Sequence, residues 1–101
     1  MTQLFVITHV DVMPNFTDDG AKLLRGHAEF AAGLDGVDRI EILQQVHRPN
    51  HSELLVVCES EAAYDRYVSD PGTRAFREEL QPMLGSPFDD RMHYLLSGPG
   101  A

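Results

Sequence analysis

A chain of 101 residues is long enough for one hydrophobic core and too short for two, and 43% hydrophobic with 24% charged residues excludes wholesale disorder. Sixteen acidic against eight basic side chains leave a net charge of -8, which argues against a phosphate-backbone partner and therefore against nucleic acid. The single cysteine, Cys58, excludes an intrachain disulfide and a cysteine-rich zinc site and suits a reducing compartment.

The first residues, MTQLFVITHVDV, carry no basic stretch ahead of the apolar run and no small-residue cleavage site, and no apolar run reaches bilayer length. The expectation is a soluble, unexported cytoplasmic protein with no membrane partner. Residues 3–12 are rich in β-branched side chains and stop at Met13-Pro14, which predicts a first strand with apolar residues on both faces. Residues 15–33 place Phe16, Leu23, Leu24, His27, Phe30, Ala31 and Leu34 at helical spacing, with Thr17 or Asp18 as the expected N-cap and Gly33 and Gly36 near the stop. His27 is the odd member of that apolar stripe.

A second strand is expected over residues 37–47, with Ile40, Ile42 and Val46 on one face and Leu43 on the other, followed by a turn at Arg48-Pro49-Asn50-His51 and a third strand over residues 54–59. Tyr64, Tyr67 and Val68 then recur at helical spacing. Asp70-Pro71 ends that helix and caps another, in which Phe76, Leu80, Met83 and Leu84 form the apolar stripe and Pro82 disturbs the last turn. Residues 91–96 make a final strand before a frayed tail from Ser97 to Ala101.

Strand, helix, strand, strand, helix in two pieces, strand is the order of an α+β fold of the ferredoxin-like, split βαβ type, here one domain over residues 1–101. Helices cover one face of such a sheet. The other would show Phe5, Ile7, Leu43, Leu55, Val57 and Leu95, more apolar surface than a soluble monomer usually exposes, so a two-fold homodimer packed sheet to sheet is expected.

Five histidines are available for chemistry. His47 and His51 have half a zinc-site spacing, but across a turn with no cysteine pair, and a solvated turn is the plainer reading. His9 and His93, on strands, suit an interface or rim. His27 reads either as a core histidine satisfied by a neighbour or as a catalytic base, and Tyr64 and Tyr67 either as core residues with a polar tip or as phenols that orient a small aromatic ligand. Cys58 alternates with Leu54 and Val56 and should be buried and inert. Gly85-Ser86-Pro87 and the glycines near the end lack the strand-to-helix setting of a phosphate loop. Asp18-Asp19 and Asp89-Asp90 are read as caps or turns.

THVDVMP, LQQVHRPNH, AAYDRYVSDPGTRAFREEL and LQPMLGSPFDDRMHY, spanning Thr8 to Tyr94, together resemble the antibiotic biosynthesis monooxygenase domain family, particularly its small members described as quinol monooxygenases. The resemblance implies a dimeric α+β barrel. It also implies oxidation of a phenolic or quinol-type aromatic substrate by O2 without metal, flavin or haem cofactor, although some relatives degrade haem. Where relatives commonly carry a pocket glutamate, tryptophan and helix histidine, this chain has Val56, Cys58 and Tyr67, while His27 stands where leucine is usual. The expected site is therefore His27 and Tyr67 as catalytic residues, with Thr8, Tyr64, Val56 and Cys58 lining the substrate cavity. The alternative is a dimeric small-molecule-binding or accessory protein that keeps the fold without the chemistry.

Overall fold

The computed structural model describes residues 2–99. Its elements are β1 (Leu4–Asp11), α1 (Thr17–Ala31), β2 (Val37–Gln44), β3 (His51–Cys58), α2 (Glu61–Ser69), α3 (Pro71–Leu80) and β4 (Asp89–His93), with single 3-10 turns at Pro14–Phe16 and Gln81–Met83. The four strands form one antiparallel sheet in the order β2-β3-β1-β4. That is the ferredoxin-like order, and β1, paired with both β3 and β4, is its centre.

Alternation in β1 sorts the whole molecule. Leu4, Val6, Thr8 and Val10 point under the helices and are at most 2% exposed, and across the ladder Leu54, Val56 and Cys58 of β3 do the same. Leu24 and Ala31 of α1, Ala63, Tyr64 and Tyr67 of α2, and Phe76 and Leu80 of α3 close over them as one core. Each fully buried aliphatic side chain here contributes about 1.5–3 kcal/mol relative to an exposed one. Ile40 and Ile42 of β2 pack against the same core from the edge.

The caps explain where the helices begin. Ser60 Oγ accepts from the amide of Ala63 at 3.1 Å and starts α2, and Asp70 Oδ1 accepts from the amide of Gly72 at 2.8 Å and starts α3 with Pro71 in its first turn. The helix therefore breaks at Asp70-Pro71, as its sequence requires. At α1 the expectation fails: neither Thr17 nor Asp18 caps, because the preceding 3-10 turn brings the carbonyl of Pro14 to Thr17, whose Oγ1 donates to it at 2.7 Å. Gly36, at φ +85°, makes the turn into β2 in a conformation that disfavours a side chain, and Ala63 crowds the place a Cβ would take.

Three strand boundaries differ from the sequence reading. The β2–β3 ladder ends at Gln44–Ser52, so Val46 lies beyond the strand and is 88% exposed, and β3 begins three residues early, at His51. The last strand is Asp89–His93, not residues 91–96, and Asp89-Asp90 is part of it instead of a cap or turn. On the uncovered face Ile7 and Leu43 are exposed as expected, whereas Val57, between Phe5 and Arg39 in the ladder, is only 3% exposed; Leu95 is exposed too but lies beyond the last strand. Of the predicted tail, residues 97–99 have no regular helix or strand, and Gly100 and Ala101 lie outside the described residues. No helix among the described residues is long and apolar enough to cross a membrane.

Candidate functional site

The six side chains singled out in the sequence all lie in the layer between helices and sheet, each at most 5% exposed. Thr8 comes from β1, Val56 and Cys58 from β3, Tyr64 and Tyr67 from α2, and His27 from α1. Two of them meet directly. The Tyr67 hydroxyl lies 2.7 Å from Nε2 of His27, with donor and acceptor set by the imidazole tautomer. Tyr64 stands beside Tyr67, ring centroids 5.9 Å apart. Val56 and Cys58 are apolar floor, and Cys58 is a poor nucleophile because burial, helped by the charge of Asp38, pushes its thiol up to about 11.

His27 is held on its other faces by aromatic rings. Phe76 stacks on it at 3.9 Å between centroids and 5° between planes, and Phe30 tilts against it at 6.1 Å. Its Nδ1 is buried without a hydrogen-bond partner. Burial, and then the positive charge of Arg77, lower its pKa to about 4, so the ring is neutral near pH 7.

Thr8 does not join this pair. Its Oγ1 donates to Asp90 Oδ1 of β4 at 2.5 Å, and Arg77 of α3 grips the same carboxylate with two bonds, 3.0 Å to Oδ2 and 2.9 Å to Oδ1. Arg77 also lies 4.9 Å above the ring of Phe88. Burial acts to raise the Asp90 carboxyl, but the hydrogen bonds from Arg77 and Thr8 outweigh it and hold Asp90 below the ordinary carboxylate range. Burial and the Asp90 charge push Tyr64 up to about 12, and burial pushes Tyr67 higher still, Arg77 opposing both. Neither phenol ionises near pH 7.

Arg77 and Asp90 are the functional candidates that sequence reasoning missed. For Arg77 a signal was present: with Thr73, Phe76 and Leu80 it falls at i, i+3, i+4 and i+7, on the buried stripe of α3, in the same way that His27 falls on the stripe of α1. Asp90 carried no such signal, because its strand is recognised only through its partner β1.

An open cleft of about 560 Å³ separates α1 from α3. Leu23, Gly26, Phe30, Phe76 and Met83 give it apolar walls, Asp19, Lys22 and Glu79 supply charged groups, and His27 is its most buried polar member. Phe30 seats directly over Gly72, where a Cβ would sit 2.3 Å from its Cζ and push that half-exposed ring aside. The cleft is not lined by Thr8, Val56, Cys58, Tyr64 or Tyr67. His27 alone connects it to the buried phenols. His51, expected in a solvated turn with His47, instead faces Asp11 and His9 on the opposite side of the sheet.

No family model matches this sequence, and no curated protein does. Solved structures do. Several bear the name "Putative antibiotic biosynthesis monooxygenase". The one from Nitrosomonas europaea superposes with a TM-score of 0.89 at 16% identity, over 94% of this chain and 91% of its own. That from Bacteroides thetaiotaomicron gives 0.86 at 19%, over 97% and 93%. That from Deinococcus radiodurans gives 0.85 at 12%, over 94% of each. At such identities the likeness is one of fold, and the fold shared along nearly the full length is the ferredoxin-like one of the antibiotic biosynthesis monooxygenases, which the sequence resemblance implied.

Proposed function

We propose that this chain is a cofactor-independent monooxygenase that oxidises a phenolic or quinol-type aromatic with O2. The observation that carries the reading is His27: a neutral imidazole at the inner side of an aromatic-walled cleft, one nitrogen bonded to Tyr67 and the other without a partner. With the ring proton on Nε2 and donated to the Tyr67 oxygen, Nδ1 is a bare lone pair for a substrate hydroxyl. Nδ1 is sealed in the closed arrangement, so the rings of Phe30 and Phe76 that pack on His27 must part for such a hydroxyl to reach it.

A pKa near 4 makes an empty-site His27 a weak base. The phenolate formed beside it offsets part of that deficit, because an adjacent negative charge favours imidazolium. The charge of Arg77, which disfavours the cation at His27 and favours phenolate at Tyr64 and Tyr67, extends the same preference to an anionic ligand nearby. The deprotonated ring then passes an electron to O2. After recombination one oxygen atom stays on the ring carbon and the other leaves as water, the substrate supplying the electrons.

Oxygen uptake with a panel of quinols and anthrone-like phenols is the test. Turnover above buffer that is lost in His27→Ala is the expected result; no turnover, or an unchanged variant, removes the assignment. A homodimer packed through the uncovered face belongs to the same proposal, supported by the exposure of Ile7 and Leu43. Light scattering at micromolar concentration should give twice the chain mass, and a monomeric mass there counts against it.

The second reading, a binding protein without turnover, is favoured by the other tautomer. If Tyr67 donates to Nε2, the ring proton sits on Nδ1 and His27 can hold a ligand's anion but not take its proton. A small molecule retained in native mass spectrometry without oxygen consumption selects that reading.

A further inference from the structure

The register of β1 against β3 places His9 opposite Glu53 and Asp11 opposite His51 on the uncovered face. Two imidazoles and two carboxylates thus occupy the corners of a cross-strand square, each histidine facing an acid on the neighbouring strand. Nδ1 of His9 lies 2.7 Å from Oε1 of Glu53, and Nε2 of His51 lies 3.3 Å from Oδ1 of Asp11. The two imidazole centroids are 5.4 Å apart. One ligand atom from each of His9, Asp11 and His51 falls within 4.8 Å of the others, the only such group of three among the described residues.

We propose that His9, Asp11 and His51 bind a divalent transition-metal ion of the zinc class, with Glu53 as the carboxylate that orients His9. This site is independent of the cleft and of the oxidation proposed for it.

The donor set selects the ion. Two imidazole nitrogens and one carboxylate suit a borderline first-row dication, whereas Mg2+ and Ca2+ want an all-oxygen shell. The spacing fits as well. Two ligands on a tetrahedral ion with bonds of about 2.0–2.1 Å stand roughly 3.3–3.4 Å apart, which is the present distance from His51 Nε2 to Asp11 Oδ1. One ligand nitrogen of His9 already lies within 4.8 Å of both.

The surroundings hold the donors ready. Glu53 occupies Nδ1 of His9 and leaves Nε2 free for an ion, the carboxylate–histidine–metal arrangement that fixes the tautomer. Ser86 Oγ donates to Oδ2 of Asp11 at 3.1 Å, leaving Oδ1 as the ligand oxygen. The backbone is fixed at the same corner. Gly85 N donates to Asp11 O at 2.7 Å, while Val12 and Asn50 exchange bonds at 3.0 and 2.9 Å. In the single chain the side chains of His51 and Asp11 are 16% and 22% exposed, so an ion would be partly shielded, and the sheet-to-sheet homodimer proposed above would shield it further. With both imidazoles neutral the square carries two negative charges, within a chain whose net charge is already -8.

Chelator-treated protein titrated with Zn2+ against a chromophoric competitor should bind one ion per chain. His9→Ala and His51→Ala should each weaken binding at least ~100-fold, and Glu53→Gln ~10- to 100-fold, as expected for an orienting partner. His47→Ala and His93→Ala should bind like wild type, and millimolar Mg2+ or Ca2+ should not compete. On the unmutated protein, ring resonances of His9 and His51 should shift with Zn2+ while those of His27 stay, a readout that does not depend on a variant folding. Absence of saturable binding, binding retained without His9 or His51, or resonances that shift only at His47 or His93 would overturn the proposal.

Discussion

Thr8 and His9 are consecutive in β1, yet they belong to two different chemical environments, because alternation along a strand sends them to opposite faces. On the helix-covered side Thr8, His27, Tyr64 and Tyr67 are nearly sealed from water, and two of their hydroxyls reach protein partners instead: Thr8 reaches Asp90 and Tyr67 reaches His27. On the uncovered side His9, Asp11, His51 and Glu53 keep between 16% and 34% of their side chains exposed and pair within reach of solvent. The difference teaches that burial, more than residue type, decides what a histidine here does. His27 is forced neutral and keeps one ring nitrogen without a protein partner. His9 and His51 face carboxylates across the ladder, the arrangement on which the proposed cation site rests.

The contrast should be sharpest in the cost of breaking each polar group. Asp90→Ala removes the acceptor from both Thr8 and Arg77, leaving a hydroxyl that is 2% exposed and a guanidinium whose side chain is 22% exposed without their partner. A buried donor left unpaired costs roughly 1–3 kcal/mol, and stranding a fully buried ion about 3–5, so a partly shielded Arg77 plus Thr8 should cost about 2–4 kcal/mol. Urea unfolding with an unchanged m-value measures it. Arg77→Met combined with Asp90→Leu should recover much of the loss, since the pair is then replaced and not broken. A single-variant cost below about 0.5 kcal/mol would mean the covered network is no more demanding than a surface pair.

The next effect is a pH dependence carried by His27. Its pKa falls from 6.5 to about 4 on folding, with burial the larger cause and Arg77 the second. Between those values the unfolded chain binds a proton that the native chain does not. His27 therefore lowers stability as pH drops from about 6.5, and its effect levels off below about 4. A shift of this size corresponds to about 3 kcal/mol across the whole window. Asp90, also held low, acts with the same sign but only in the carboxylate range beneath it. His27→Leu should flatten the profile between pH 7 and pH 5 in equilibrium unfolding. If wild type and variant run parallel there, the imidazole is not held neutral by its surroundings.

Much of this was legible in the residues. Alternation in β1, the capping pair Asp70-Pro71 and the stripe containing His27 suffice for the strand and helix order and for one buried histidine. Three features were not. Asp89-Asp90 has the composition of a turn and becomes strand only because β1 offers a ladder and Arg77 and Thr8 offer bonds, all of them distant in sequence. The cleft lies between α1 and α3, away from Thr8, Tyr64, Val56 and Cys58, which were expected to line it, and Phe30 of one helix seats there over Gly72 of the other. His9 and His51 are separated by the end of β1 and all of α1 and β2. Only the register joins them, and a one-residue slip would send one of them to the other face.

The smallest effect belongs to the uncovered face. Glu53→Gln keeps the shape of the side chain and removes its charge beside His9, both partners being about one-third exposed. In chelator-containing buffer the change in unfolding free energy should stay within about 0.5 kcal/mol, because solvent screens such pairs and their net contribution is small. Saturating Zn2+ should separate the two proteins. Binding to the native state alone stabilises by RT ln(1 + [L]/Kd), so the wild type should gain more than Glu53→Gln, by about 1.4–2.7 kcal/mol for a 10- to 100-fold difference in affinity. A difference already present without metal would make the His9–Glu53 pair a stabilising contact in its own right and bring the two faces closer in kind. A difference that appears only with the ion would keep them distinct: one face organised by burial, the other waiting for charge.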